Sequence, residues 1–275
     1  MKPIYNKLIG LPEPEVLLFD LDGTLYRGNT RITGADRLIA ELEQKGKRCF
    51  FVTNNSTRTP SEVAHHLKQM GIEADEARVV TSATATAYYI NQNYTNATAY
   101  VIGERGLREA LTEIGVRILE DASHEHVDLV IQGLDRQLTY AQLTRGLQHL
   151  LQGAKFIQTN PDRLLPMDDR FIIGAGSIGA ALQASSGIEP IVIGKPSPIL
   201  MNYAMQIAGA KTENTWVIGD NPYTDIAAGE AVGCSSIMVL TGFCNIDNWE
   251  QHCHNAGVTP QAVCEDLQVL HQMLI

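Results

Sequence analysis

The sequence predicts an α/β chain, built as a doubly wound parallel sheet with a second α/β unit inserted into it. Three observations carry this. Short apolar runs of the kind buried on both faces of a parallel sheet recur along the chain, beginning with "VLLFD" at 16–20. Stretches with apolar residues at helical spacing lie between them. The alternation occurs early, in the middle and late, and about nine strands is large for one sheet, so two units are expected rather than one.

In chain order, "VLLFD" (16–20) reads as a central strand and "GADRLIAELEQKG" (34–46) as a helix closed by glycine. "RCFFVTNN" (48–55) is a second buried strand, and "TPSEVAHHLKQMG" (59–71) a helix with Pro60 in its first turn and Gly71 past its end. "ARVVTS" (77–82) is a third strand. In the middle, "TAYVIG" (98–103), "VDLVIQGL" (127–134) and "AKFIQTN" (154–160) read as strands, with helical stretches at 84–92, 105–114 and 139–151. The late run has "PIVIG" (190–194), a helix near 198–208, "TWVIGD" (215–220), a helix near 224–232 and "SSIMVLTG" (235–242). The expected boundaries are residues 1–80 and 186–275 for the outer unit and 81–185 for the insertion.

Composition narrows the function. The chain of 275 residues carries 31 acidic against 21 basic residues, a net charge of −10, without a basic cluster. Phosphate-backbone contacts need Lys and Arg, so no nucleic-acid partner is expected. The five cysteines form no CxxC pair, and reduced thiols in a cytoplasm are the simpler expectation. Cys244, His252, Cys253 and His254 crowd "CNIDNWEQHCH", but the spacing fits no standard zinc pattern. "MKPIYNKLIGLPEPE" lacks the apolar core of a signal peptide, and no stretch of 18 apolar residues suggests a membrane span.

The chemistry starts at "LLFDLDGTLYRG" (17–28), where a buried strand runs into Asp20 and Asp22. Desolvated like charges this close need an offsetting cation. In open α/β sheets ligands bind beyond the carboxyl ends of the strands, and the unusual polar residues fall there. Asp20 and Asp22 follow the first strand, Thr53 and Asn54 the second, Lys195 follows "PIVIG", and Asp220 and Asp225 follow "TWVIG". Hard carboxylate and carbonyl oxygens suit Mg²⁺, and a divalent cation with a lysine would neutralise both carboxylates and a bound phosphoryl group. Taken singly, each residue has a plainer reading. A strand-end Asp is commonly a cap or turn residue, Asn55 a turn residue, and Asp225 a charge near a helix N-terminus. His124 and His126, in "EDASHEHVD", read as solvated surface.

Together "DLDGT", "TNNS", "GKPSP" and "GDNPYTD" resemble the four motifs of the haloacid dehalogenase-like phosphohydrolases, in order and at matching wide spacing. "VTSATATAYYI", "FIQTNPD" and "GKPSP" are similar to the p-nitrophenylphosphatase and nucleotide-phosphatase, or NagD-type, branch. The resemblance implies a Rossmann-like core with an inserted α/β cap and Mg²⁺-dependent hydrolysis of a small phosphorylated metabolite. It implies Asp20 as nucleophile, forming an aspartyl phosphate, and Asp22 as general acid and base. Mg²⁺ would be held by the carboxylates of Asp20 and Asp220 and the main-chain carbonyl of Asp22, with Asp225 in support. Thr53, Asn54 and Lys195 would bind the phosphoryl group. In motif four, Asn221 and Tyr223 are candidate substrate contacts, Tyr223 either facing the substrate or packing locally. In the cap, "TNPDRLLPMDDR" (159–170) offers Asn160, Asp162 and Arg163 toward the leaving group. The branch often dimerises through such caps, so a homodimer is the implied assembly.

Other classes compete. A signalling receiver carries a similar acidic pocket but is about half this length and has no cap. A phosphotransferase or phosphomutase on the same scaffold, or a non-catalytic binder of a phosphorylated metabolite, stays open. A P-loop NTPase is excluded, because "IGKPSP" has proline where that loop needs Ser or Thr.

Overall fold

The computed structural model describes residues 4–6, 11–120, 125–167 and 170–275. The chain runs through β1 (Tyr5–Asn6), β2 (Val16–Phe19), β3 (Tyr26–Arg27), β4 (Thr30–Arg31), α1 (Ala35–Gln44), β5 (Arg48–Thr53), α2 (Pro60–Gln69) and β6 (Val79–Thr81). It continues with α3 (Ser82–Asn93), β7 (Thr98–Ile102), α4 (Arg105–Glu113), β8 (Arg117–Ile118), β9 (Leu129–Gln132), α5 (Tyr140–Leu151) and β10 (Lys155–Gln158). The hairpin β11 (Leu164–Met167) and β12 (Arg170–Ile173) follows, then α6 (Ala175–Ser186) and β13 (Ile191–Val192). The last stretch holds α7 (Pro198–Ala208), β14 (Thr215–Gly219), α8 (Ala227–Ala231), β15 (Ser235–Val239), α9 (Trp249–Ala256), β16 (Ala262–Cys264) and α10 (Leu267–Leu274).

Two compact units result. One comprises residues 1–53, 60–80 and 195–275, the other 54–59 and 81–194. The first contains a seven-stranded sheet in the order β1-β16-β15-β14-β2-β5-β6. Its pairs from β16 through β5 are parallel, and β1 adds to β16 antiparallel at one edge. Strand β2 is fully buried, as its unbroken apolar run requires. Leu17 and Phe19 face a core with Leu38, Ile39 and Leu42 of α1, Leu67 of α2 and Leu270 of α10, while alternation turns Leu18 to the other face.

The second unit holds a five-stranded parallel sheet, β13-β10-β9-β7-β8. Tyr100, Val130 and Phe156 from its strands pack on Leu150 of α5 and Ile178 and Leu182 of α6. Helices α3 and α5 start on Thr81 and Thr139, each making a capping box with the residue three positions on, Thr84 and Gln142.

The strand read at 190–194 belongs to this second sheet, not to the outer run. Its two paired residues, Ile191 and Val192, lie beside Ile157 and Gln158 of β10. Helix α6 was not legible. Its sequence, AGSIGAALQASS, has small residues around most of its circumference and two internal glycines, so no apolar stripe marks it.

Candidate active site

Strand β2 lies between β14 and β5, so the carboxyl ends of three neighbouring strands deliver Asp220, Asp20 and Thr53 side by side. From β2 the chain runs outward to β5 and β6, and the later strands stack on the other flank. This is the topological switch point at which open parallel sheets bind ligands.

Asp20, Asp220 and Asp225 each bring a carboxylate oxygen within 4.8 Å of the others. Lys195 is the cation among them. Its Nζ lies 2.5 Å from Asp20 Oδ1 and 2.7 Å from Asp225 Oδ1, and donates to the Val52 carbonyl at 3.1 Å. The lysine side chain is only 2% exposed, held with its stem in the core and its ammonium on the carboxylates.

The loop after β2 is shaped to let Asp220 approach. Gly23 has φ +93°, and a Cβ there would sit 2.5 Å from Asp220 Oδ2. A Cβ on Gly242 would meet the same oxygen at 2.1 Å. Asp220 is further fixed by the Phe243 N–H, donating to Oδ2 at 2.6 Å, and the Thr24 hydroxyl, donating to Oδ1 at 3.2 Å. Thr241 ties the two loops by donating its hydroxyl to the Gly23 carbonyl at 2.7 Å. Asp225 projects from the widened helical turn Pro222–Ile226, where its Oδ2 accepts from Asn221 N at 3.1 Å.

Burial and mutual repulsion dominate the electrostatics. Burial, then the Asp225 charge, push the Asp220 carboxyl up to about 7, although the Phe243 N–H and Thr24 hydroxyl pull it down. Burial, Asp225 and Asp220 raise Asp20 well above the usual carboxylate range against the pull of Lys195. Burial would depress the Lys195 ammonium, but Asp20 and Asp225 hold it above an ordinary lysine. Three carboxylates around one ammonium leave an excess of negative charge in a buried, all-oxygen donor set. That set fits a divalent cation with hard-ligand preference.

The remaining expected residues divide. Asp22 is exposed at the turn after β2, where its backbone bridges to Tyr26. Thr53 is buried at the end of β5. Asn221 accepts from Tyr223 N at 3.0 Å, a local turn contact. Tyr223 packs edge-on against Phe243 and His252, with its hydroxyl 3.2 Å from His252 Nδ1, yet 36% of it stays exposed. Asn54, Asn160 and Asp162 meet within the second unit. Asn160 is buried, its amide donating to the Asn54 carbonyl at 2.8 Å, and Arg163 is exposed. Asn55 accepts from Thr57 N and Oγ1, a turn role.

Thr24, Thr241, Gly242 and Phe243 went unread. Thr24 stands inside a motif dominated by its carboxylates, and Phe243 contributes only a backbone N–H, which no side-chain pattern reports.

Among the described residues, no three-ligand grouping involves Cys244, His252, Cys253 and His254. The cysteines are buried and free, and burial pushes the Cys49 and Cys264 thiols up to about 12. His126 is exposed, and His124 lies outside the described residues.

Comparison with known proteins gives the family. The model of the haloacid dehalogenase-like hydrolases matches residues 17–117, and a second HAD-hydrolase-like model matches 192–270. An acid sugar phosphatase of Staphylococcus epidermidis is 44% identical over 228 residues, covering 83% of this chain and 87% of its own. The chain belongs to the haloacid dehalogenase-like hydrolases. Another relative in this family, the acid sugar phosphatase of Staphylococcus aureus strain MRSA252, is 42% identical over 250 residues, 91% of this chain and 94% of its own. The p-nitrophenyl phosphatase from Archaeoglobus fulgidus has the same fold at a TM-score of 0.89 and 32% identity, covering 95% of this chain and all of its own (100%). A thermostable NPPase double mutant from Geobacillus stearothermophilus gives 0.85 at 36% identity, covering 94% and 98%. Within the haloacid dehalogenase-like hydrolases these place the chain among the NagD-type phosphatases, as a phosphoric monoester hydrolase.

Proposed function

We propose that this chain hydrolyses small phosphate monoesters with Mg²⁺, passing the phosphoryl group through Asp20. The observation that carries the reading is the buried set formed by Asp20 and Asp220, at the ends of adjacent parallel strands, with Asp225 and Lys195 against them. A bound Mg²⁺ would be held by Asp20, Asp220 and the Asp22 main-chain carbonyl, with Asp225 in support, and would supply Lewis-acid stabilisation of the phosphoryl oxygens.

The chain's own residues do the rest. The Asp20 carboxylate attacks phosphorus, and the bond to the leaving oxygen breaks as Asp22 protonates that oxygen. Asp22, now a carboxylate, takes a proton from water as the water attacks the aspartyl phosphate. This releases phosphate and restores Asp20. Lys195 balances the charge that Asp20 and the phosphoryl group bring together, and Thr53 and Asn54 donate to phosphoryl oxygens.

For the substrate, the acid sugar phosphatase relatives favour sugar phosphates, and the structural neighbours favour p-nitrophenyl phosphate as the assay substrate. The second unit serves as the cap. Its hairpin β11–β12 shows Leu164, Phe171 and Ile173 on one exposed face, which supports a homodimer through this unit. None of the described helices is long and apolar enough to cross a membrane, and a cytoplasmic setting is our reading.

The test is phosphate release from a panel of sugar, nucleotide and aryl phosphates with Mg²⁺ and after chelation. Turnover of several esters, abolished by chelator and restored by Mg²⁺, is expected. Full activity without metal, or transfer to a sugar with no phosphate released, contradicts the reading.

A further inference from the structure

Three rings from three segments of the first unit meet beside Asp220. Tyr223 stands on the widened turn between Asp220 and Asp225, Phe243 in the loop after β15, and His252 on α9. Each ring lies edge-on to the other two. Tyr223 and Phe243 have centroids 5.8 Å apart at 78°, Tyr223 and His252 5.8 Å at 81°, and Phe243 and His252 5.1 Å at 72°. Such pairs attract because the positive edge of one ring meets the negative face of another. The Tyr223 hydroxyl, 3.2 Å from His252 Nδ1, adds a hydrogen bond to the triangle.

Phe243 is the member that touches the carboxylate cluster, and it does so through its main chain. Its N–H donates to Asp220 Oδ2 at 2.6 Å. The chain reaches that N–H from Gly242, and glycine has too wide a conformational freedom to fix its direction. The Phe243 side chain is 49% exposed, so burial in the core does not hold it either. Its contacts come from α9 and the turn. His252 meets the ring, and the next residue, Cys253, lies in one buried cluster with Cys244, the residue after Phe243. Tyr223 braces the same ring from the turn that carries Asp225.

We propose that His252 and Tyr223 are positioning residues that act through Phe243. By fixing its ring they keep its N–H on Asp220, and so set the affinity of the carboxylate cluster for a divalent cation. The proposal rests on the reading of Asp220 as a metal ligand. A carboxylate held by a neighbouring donor is already oriented for a cation, whereas one released from that donor must be ordered as the cation binds.

The experiment takes two readouts from the same proteins: wild type, His252→Ala, Tyr223→Ala, Phe243→Ala, His252→Phe and the His252→Ala/Phe243→Ala double variant. The first is hydrogen exchange of the residue-243 amide in the metal-free protein, followed by NMR. The second is the dissociation constant of Mg²⁺ from calorimetry at constant pH, with thermal melts alongside. His252→Ala and Tyr223→Ala should each speed exchange of that amide and weaken Mg²⁺ by about fivefold, the size of one edge-on aromatic pair. Phe243→Ala removes two such pairs and should weaken Mg²⁺ by about tenfold or more. His252→Phe restores a ring and should recover most of the loss. In the Phe243→Ala background the His252 change should add nothing further. At limiting Mg²⁺ the variants should lose kcat/KM, and the loss should shrink as Mg²⁺ is raised.

A lower melting temperature with unchanged Mg²⁺ affinity would make the rings structural only and overturn the proposal. A loss confined to one ester at saturating Mg²⁺, with metal affinity unchanged, would place the rings on the leaving group and do the same. So would an undiminished His252 effect in the Phe243→Ala background. If Phe243→Ala does not fold, Phe243→Leu, which keeps apolar bulk without a ring, takes its place. A wild-type protein that binds no Mg²⁺ overturns the metal reading and this proposal with it. Wild-type binding with unaffected variants overturns this proposal alone.

Discussion

At the scale of single residues, the site is a problem in charge balance. Lys195 is the ammonium that touches two of the three clustered carboxylates, and it is buried. Removing one partner of a buried ion set leaves uncompensated charge, typically at a cost of about 3 kcal/mol or more. Lys195→Ala should therefore melt earlier without metal, regain part of that loss with Mg²⁺, and lose about a hundredfold or more in kcat/KM. Wild-type kcat/KM would reduce the lysine to a structural counter-ion.

The raised Asp220 carboxyl gives a second residue-scale test. With Asp220 near 7, the metal-free protein carries its proton below about that pH. As the ligand proposed for Mg²⁺, Asp220 must lose it, so Mg²⁺ binding should release protons and weaken as pH falls below about 7. Calorimetry in buffers of different ionisation enthalpy would read the proton release, and pH-independent affinity from 6 to 8 would contradict the assignment. Asp20, Asp220 and Lys195 were legible because each follows an apolar run directly. The groups that hold Asp220 were not, because a backbone N–H and a glycine's missing Cβ leave no chemical signature in a sequence.

At the scale of elements, helix α5 carries a titratable group the reaction does not use. His149 lies buried on its inward face, its ring centroid 5.2 Å from that of Tyr100. Burial, then the charges of Arg145 and His126, lower its pKa. Folding thus favours the neutral ring. The stability this gives is complete above the unfolded value of about 6.5 and is lost as pH falls below it toward the folded value. Thermal melts from pH 7.5 to 5 should show a smaller acid-side decline in His149→Leu than in wild type. An equal decline in both would mean that the ring charges without penalty. Regular amphipathic helices such as α1 and α2 were read close to their true ends. Helix α6 was not, since its place is set by glycines closing on the Pro161 and Asp162 carbonyls rather than by a stripe of its own.

At the scale of the whole molecule, the alternation of apolar runs and helical stretches revealed two parallel sheets and the placement of one inside the other's sequence. It did not assign β13, because two edge residues carry no mark of which sheet will hydrogen-bond them. The same limit hid β1, β8 and β16, whose existence depends on long-range pairing. What the topology does determine is that Asp20 leaves a central strand between the strands that end at Asp220 and Thr53.

From this position we propose Asp20 as the nucleophile, with acid and base work left to Asp22. The direct measurement is a rapid-mix reaction of Asp22→Asn with p-nitrophenyl phosphate. This leaving group hardly needs protonation, so attack should proceed while water activation fails. A burst of p-nitrophenolate about equal to the enzyme concentration is expected, with the trapped phosphoryl label found by mass spectrometry on Asp20. Label on any other residue, or a burst from Asp20→Asn, would contradict it.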